Sequence, residues 1–155
     1  MKTSIIILFA FITCFTFAQK VKMPADFRLE YKYNAGMFPL REDLKLFSGN
    51  GTYKAYENGK DFEIKFTSKN KEEIQELHGK LSACGFFRLS LKADERYLNP
   101  KEDIKDKGSK TIYIVASAKH YFLSEDDFAT MDKDQAAVAK KAFEIVQEFT
   151  KKYRK

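Results

Sequence analysis

Cysteine is nearly absent from this chain, with only Cys14 and Cys84 among 155 residues. Cys14 lies in a leading apolar segment, so the domain behind it keeps one thiol and has no internal disulfide; packing must hold it together. Histidine is equally scarce. His78 and His120 form no His-x-x-x-His, His-x-His or Cys-x-x-Cys spacing, which argues against a zinc site and predicts no metal or cofactor. No Gly-x-Ser-x-Gly elbow, phosphate loop or dinucleotide fingerprint occurs, and Ser48-Gly49-Asn50-Gly51-Thr52 reads as a hairpin turn. With three prolines and no Pro- or Ser-rich linker, nothing divides the chain into two domains.

What is present begins with an export signature. Met1-Lys2 is a short basic start, Ile5 to Phe17 is almost unbroken apolar sequence, and Thr16-Phe17-Ala18 supplies the small residues a signal peptidase reads. At roughly 13 residues the run is short of the ~20 that span a bilayer, so cleavage after Ala18 is expected rather than anchoring. Phe11-Ile12-Thr13 lacks the Leu-like and small residues that precede a lipidated cysteine, so no lipid is expected on Cys14. The expected product is an extracytoplasmic domain, periplasmic or secreted, of residues 19–155. It is mildly basic once Lys2 is removed from a net charge of +6.

Periodicity then sets the fold class. Phe27, Leu29, Tyr31 and Tyr33 alternate with charged residues, predicting a half-buried strand over 26–33. Breakers from Asn34 to Pro39 end it, and strands follow at 43–47, 52–57 and 61–67, the last two joined by an Asn58-Gly59 hairpin. Asn70 and Glu73 have capping-box spacing ahead of Ile74, Leu77, Leu81 and Cys84, which predicts a helix over about 71–83 stopped by Gly85. Residues 88–110 read as one long charged irregular segment. Thr111 to Ser117 and Tyr121 to Leu123 read as strands turning at Ala118-Lys119. Asp132 or Asp134 caps a last helix whose stripe is Val138, Ala142, Ile145, Val146, Phe149 and Tyr153. The order β-β-β-β-α-β-β-α predicts an α+β domain, a mostly antiparallel sheet of about six strands with two helices on one face.

Catalytic candidates are few. Cys84 ends the first helix, where the dipole disfavours a thiolate, and His78 is six residues away on another side; Cys84 reads as structural. His78 adjoins the apolar stripe and reads as bridging core and solvent, and His120 falls near a turn. Glu125-Asp126-Asp127 and Asp132-Lys133-Asp134 lack calcium-loop spacing. Lysines alternate with acids throughout, which argues against nucleic acid despite aromatics such as Tyr53 and Tyr56, taken as exposed. The last helix mixes Glu144, Gln147 and Glu148 with its lysines, which argues against membrane association.

Leu44-Lys45-Leu46-Phe47, the glycine turn, Tyr53 to Tyr56, the polar helix from Glu72 to Leu81 and then Cys84-Gly85-Phe86-Phe87-Arg88-Leu89 resemble the emfourin-type domains. The resemblance covers about residues 27–150. It implies a small α+β module whose name-giving members inhibit thermolysin-like metalloproteases. This chain departs from them in its export signature and in its longer 88–110 segment, and no inhibitory contact residue is carried over.

The expected function is therefore a non-enzymatic protein-binding module, with a protein partner and protease inhibition as the activity the resemblance implies. Its expected contact surface is Asp94, Glu95, Arg96, Tyr97, Asn99 and Lys101 of the long segment, with Met37 and Phe38 of the 34–41 turn. Two other readings stay open: a small hydrolase with a carboxylate pair drawn from Asp94, Glu95, Asp126 and Asp127, and a structural protein of the cell envelope.

Overall fold

A computed structural model of the chain describes residues 21–36, 40–91 and 108–154. Period-two sequence becomes six strands: β1 (Arg28–Asn34), β2 (Leu40–Phe47), β3 (Gly51–Glu57), β4 (Lys60–Phe66), β5 (Ser109–Ala116) and β6 (Lys119–Ser124). All neighbours run antiparallel in one sheet ordered β4-β3-β2-β1-β5-β6. Helix α1 (Lys71–Ala83) follows β4 and helix α2 (Lys133–Lys151) ends the domain. The α+β order expected from periodicity is the one observed.

Cross-strand register shows which side is the core. Leu29 pairs with Leu46 and Ile114, Tyr31 with Leu44 and Ile112, and Tyr53 with Leu44 and Ile64. All but Ile64 are fully buried, together with Ile74 and Leu81 of α1 and Ala139, Ala142 and Val146 of α2. Each large side chain buried this way stabilises the fold by about 1.5–3 kcal/mol. Phe66 meets Phe149 of α2 and Tyr153 just beyond its end, and Gln147 of α2 reaches the Tyr31 hydroxyl, so α2 lies across the β1–β4 half. Ahead of β1, the Met23 N–H donates to Gln75 of α1 while the Gln75 amide donates to the Val21 carbonyl, tying the leading segment to that helix.

The turns follow residue chemistry in part. Asn58 and Gly59 both take positive φ (53° and 81°), the I′ geometry that matches sheet twist. Gly85 has φ 90° and stops α1, after which a 3-10 turn (Phe86–Arg88) buries Phe86. Between β5 and β6 the turn is made by Ser117 and Ala118, one residue earlier than expected and with φ 52° and 58° at residues ill suited to it. Asp26 supplies the reason: its carboxylate accepts from the Ser117 and Ala118 N–H groups at 3.0 and 2.6 Å. Those two donors hold the Asp26 carboxyl below its ordinary pKa.

Three local expectations are corrected. Strand β2 begins at Leu40 rather than 43, because its pairing with β3 extends through Arg41 and Glu42. The capping box sits one turn earlier than Asn70/Glu73: Thr67 caps a 3-10 turn (Ser68–Asn70) and the Asn70 side chain accepts from the Thr67 N–H. Asn70 therefore gives α1 no side-chain cap, although its amide donates to Glu73 at 3.3 Å. Tyr53, taken as exposed, is fully buried on the helix-covered face. At α2, Asp132 is the cap, accepting from the Gln135 N–H at 2.8 Å.

Candidate functional site

With both described helices on one side, the other face of the sheet carries, among the described residues, the alternate residues of every strand. Reading across it, Glu30 lies between Lys45 and Tyr113, Arg28 between Phe47 and Val115, Asp43 between Lys32 and Lys54, and Tyr56 between Arg41 and Asp61. Opposite charges thus stand side by side along the rows. Lys54 pairs with Glu63 at 3.6 Å, Lys45 with Asp43 at 3.7 Å, and Arg28 with Glu30.

Two parts of this face differ in character. Near β1, β5 and the end of β2, Phe47 is 41% exposed, unusual for a phenylalanine in a strand, and the Arg28 guanidinium lies 5.8 Å from its ring centre. Beside them the Tyr113 hydroxyl and His120 Nδ1 are 2.7 Å apart. Over β2, β3 and β4 the sheet forms an open concavity of about 830 Å³ with Arg41, Asp43, Lys54, Tyr56, Asp61 and Glu63 in its lining. Asp43 Oδ1 is shielded from solvent there without a hydrogen-bond partner among the described residues, leaving an acceptor unused.

Asp43 and Glu63 are two strands apart, about 10 Å between backbones, with Lys54 in the row between them and paired to Glu63. Asp61 stands two residues from Glu63 on the same strand, so basic and acidic side chains are interleaved across the concavity. Alternating charges beside a tyrosine and an exposed phenylalanine suit a partner surface of mixed charge with an apolar anchor.

Of the residues expected to form the contact surface, Met37, Phe38, Asp94, Glu95, Arg96, Tyr97, Asn99 and Lys101 all lie outside the described residues, as do the export segment and Cys14. Asp126 and Asp127 fall in a 3-10 turn (Glu125–Thr130) after β6, where Asp127 accepts from the Ser124 N–H at 2.9 Å and Asp126 N–H donates to the Ser124 hydroxyl. That is the reciprocal pattern of a capping box. Cys84 donates its thiol to the Leu81 carbonyl at 3.2 Å, and burial pushes its pKa up. Among the described residues no group of three or more His, Cys, Asp or Glu side chains could hold a metal ion, and no helix is long and apolar enough to cross a membrane.

His78 sits deeper than its position beside the stripe suggests. It is 3% exposed, edge-on to Phe27 at 5.1 Å and against Phe87 at 5.3 Å, and its buried Nδ1 has no hydrogen-bond partner among the described residues. Burial lowers its pKa below 6.5, so the folded state favours the neutral ring. The unfolded chain then takes up the proton first on acidification. Stability from this site is complete above about pH 6.5 and falls as pH drops through the lowered folded value. Thermal midpoints measured between about pH 7.5 and 5 should show the wild type losing more stability than His78→Phe. Parallel curves would mean that folding leaves the His78 pKa unchanged.

Sequence reasoning missed a buried polar cluster on the helix-covered face. Glu42 accepts hydrogen bonds from the hydroxyls of Tyr53 and, at 3.5 Å, Tyr31, and Arg154 reaches it at 3.4 Å from beyond the end of α2. Burial, first of all, pushes both phenols above their ordinary pKa, so they remain donors. The available signal was the alternation Glu42-Leu44-Leu46, visible only once β2 is started early enough to include Glu42.

No protein-family model matches this chain, and no curated protein matches it.

Proposed function

We propose that this chain is an exported, non-enzymatic protein-binding module that engages its partner through the sheet face opposite its two described helices, protease inhibition being its particular activity. The observation that carries the surface is the exposed Phe47 beside Arg28, on the same face as a mixed-charge concavity with an unused acceptor at Asp43. The paired sheet fixes the backbone that carries these groups, so binding orders side chains alone, which favours association. Export is supported by Lys2 and the apolar run to Phe17 with its Thr16-Phe17-Ala18 end. The inhibitory activity rests on the emfourin-like block from Leu44 to Leu89.

The experiment is titration of a panel of extracellular proteases, thermolysin-like metalloproteases included, with the purified protein. Stoichiometric inhibition of at least one is expected. Full protease activity at molar excess against every member would refute the inhibitory form. Phe47→Asp should weaken inhibition at least about a hundredfold, as loss of an apolar anchor does, with little change in melting temperature.

A further inference from the structure

Strand β4 ends the sheet, and among the described residues it pairs with β3 alone. It is seven residues long and contains no proline, and its apolar side is not fully covered, since Phe62 and Ile64 remain partly exposed. Such an edge invites another strand unless charge forbids it. We infer that β4 is a self-association edge, pairing antiparallel with β4 of a second copy about a two-fold axis at Ile64. The inference goes beyond the proposed function and is read by self-association, not by inhibition, although Glu63 also lines the concavity of the proposed binding face.

Backbone geometry and charge select the register together. Glu57 and Lys60 flank the two-residue Asn58-Gly59 loop and so form a hydrogen-bonded pair, which turns the N–H and C=O groups of Lys60, Phe62, Ile64 and Phe66 toward β3. Those of Asp61, Glu63 and Lys65 then face outward. Placing Ile64 opposite its own copy sets Glu63 opposite Lys65 twice, with hydrogen bonds formed by the outward-facing groups of both. It also sets Phe62 opposite Phe66 twice on the helix-covered side. Sliding one allowed step in one direction puts Glu63 against Glu63, and one step in the other puts Lys65 against Lys65. An odd step puts apolar residues against charged ones. Only the Ile64-centred register is complementary in both charge and apolarity, and like charges directly opposite would otherwise repel. Glu63 already meets Lys54 at 3.6 Å within its own sheet, an exposed pair worth little that leaves the carboxylate able to accept a second cation.

A seven-residue edge makes a small interface, so the expected dimer is weak and reversible. Sedimentation equilibrium of the purified protein from about 1 to 200 μM should show a monomer–dimer equilibrium. Glu63→Lys and Lys65→Glu, both at exposed positions, should each weaken the dimer about tenfold or more. Mixing the two single variants in equal amounts should restore it, because each altered charge then meets its opposite. Near-UV circular dichroism of each variant verifies that the fold is kept. Monomer at every concentration overturns the inference, including the case in which the monomer takes up a synthetic extended peptide along β4. A dimer indifferent to both substitutions, or one that mixing fails to restore, overturns it as well.

Discussion

Arg154→Met is expected to lower the stability of the domain by about 2–4 kcal/mol, a large effect for the next-to-last residue of the sequence. The reason lies in Glu42, whose side chain is 4% exposed on the core side of β2 and whose cationic partner is Arg154. Without the guanidinium, a buried carboxylate keeps, among the described residues, the neutral hydroxyls of Tyr31 and Tyr53. Adding Glu42→Gln to Arg154→Met removes the stranded charge and keeps an oxygen for the tyrosines to donate to, so the double variant should regain most of the loss. Urea denaturation of wild type, both single variants and the double variant gives the coupling directly. Additive losses would show that Arg154 acts independently of Glu42, through the packing of its stem or through the 3.9 Å approach of its Nε to Glu57.

Phe86→Ala should cost still more, about 3–5 kcal/mol, seen as a melting temperature lowered by about 10–15 °C. Phe86 is fully buried and meets Phe87 and Tyr121 with ring centres 5.4 and 5.7 Å apart. It plugs the corner where the chain leaves α1 through Gly85, so its removal opens a cavity among groups already fixed by a helix end, a left-handed residue and the sheet. Phe87 is only partly buried and makes the contrast: Phe87→Ala should cost about half as much. Equal losses would indicate that the corner collapses as a unit, with no separate cavity at Phe86.

The parts of this fold that were readable in the sequence are those decided by neighbours along the chain. Alternation in Phe27-Leu29-Tyr31-Tyr33, the positive-φ pair Asn58-Gly59, the stripe Ile74-Leu77-Leu81 and the stop at Gly85 each need only a few residues to act, and each has its expected consequence in the structure. What was not readable depends on partners distant in sequence. The Ser117-Ala118 turn has no local propensity for positive φ and exists because Asp26, about ninety residues earlier, caps both N–H groups. Glu42 reads as a solvent residue until Arg154, Tyr31 and Tyr53 are seen around it. His78 reads as amphipathic until Phe27 and Phe87 close over its ring. The face opposite the described helices was hidden in the same way. Phe47 at the end of an alternating strand gives no hint of which side the helices take, and the concavity at Arg41, Asp43, Lys54 and Tyr56 arises only when three strands are set in register.

That face is the center of the functional proposal, and one comparison tests it most directly. The inhibition constant toward a thermolysin-like metalloprotease is measured for the wild type and for Phe47→Asp combined with Lys54→Glu, with melting temperatures recorded alongside. The expected result is tight inhibition by the wild type and inhibition at least about a hundredfold weaker by the variant at an unchanged melting temperature. Equal potency of the two proteins would contradict the assignment of the sheet face opposite the described helices as the contact surface.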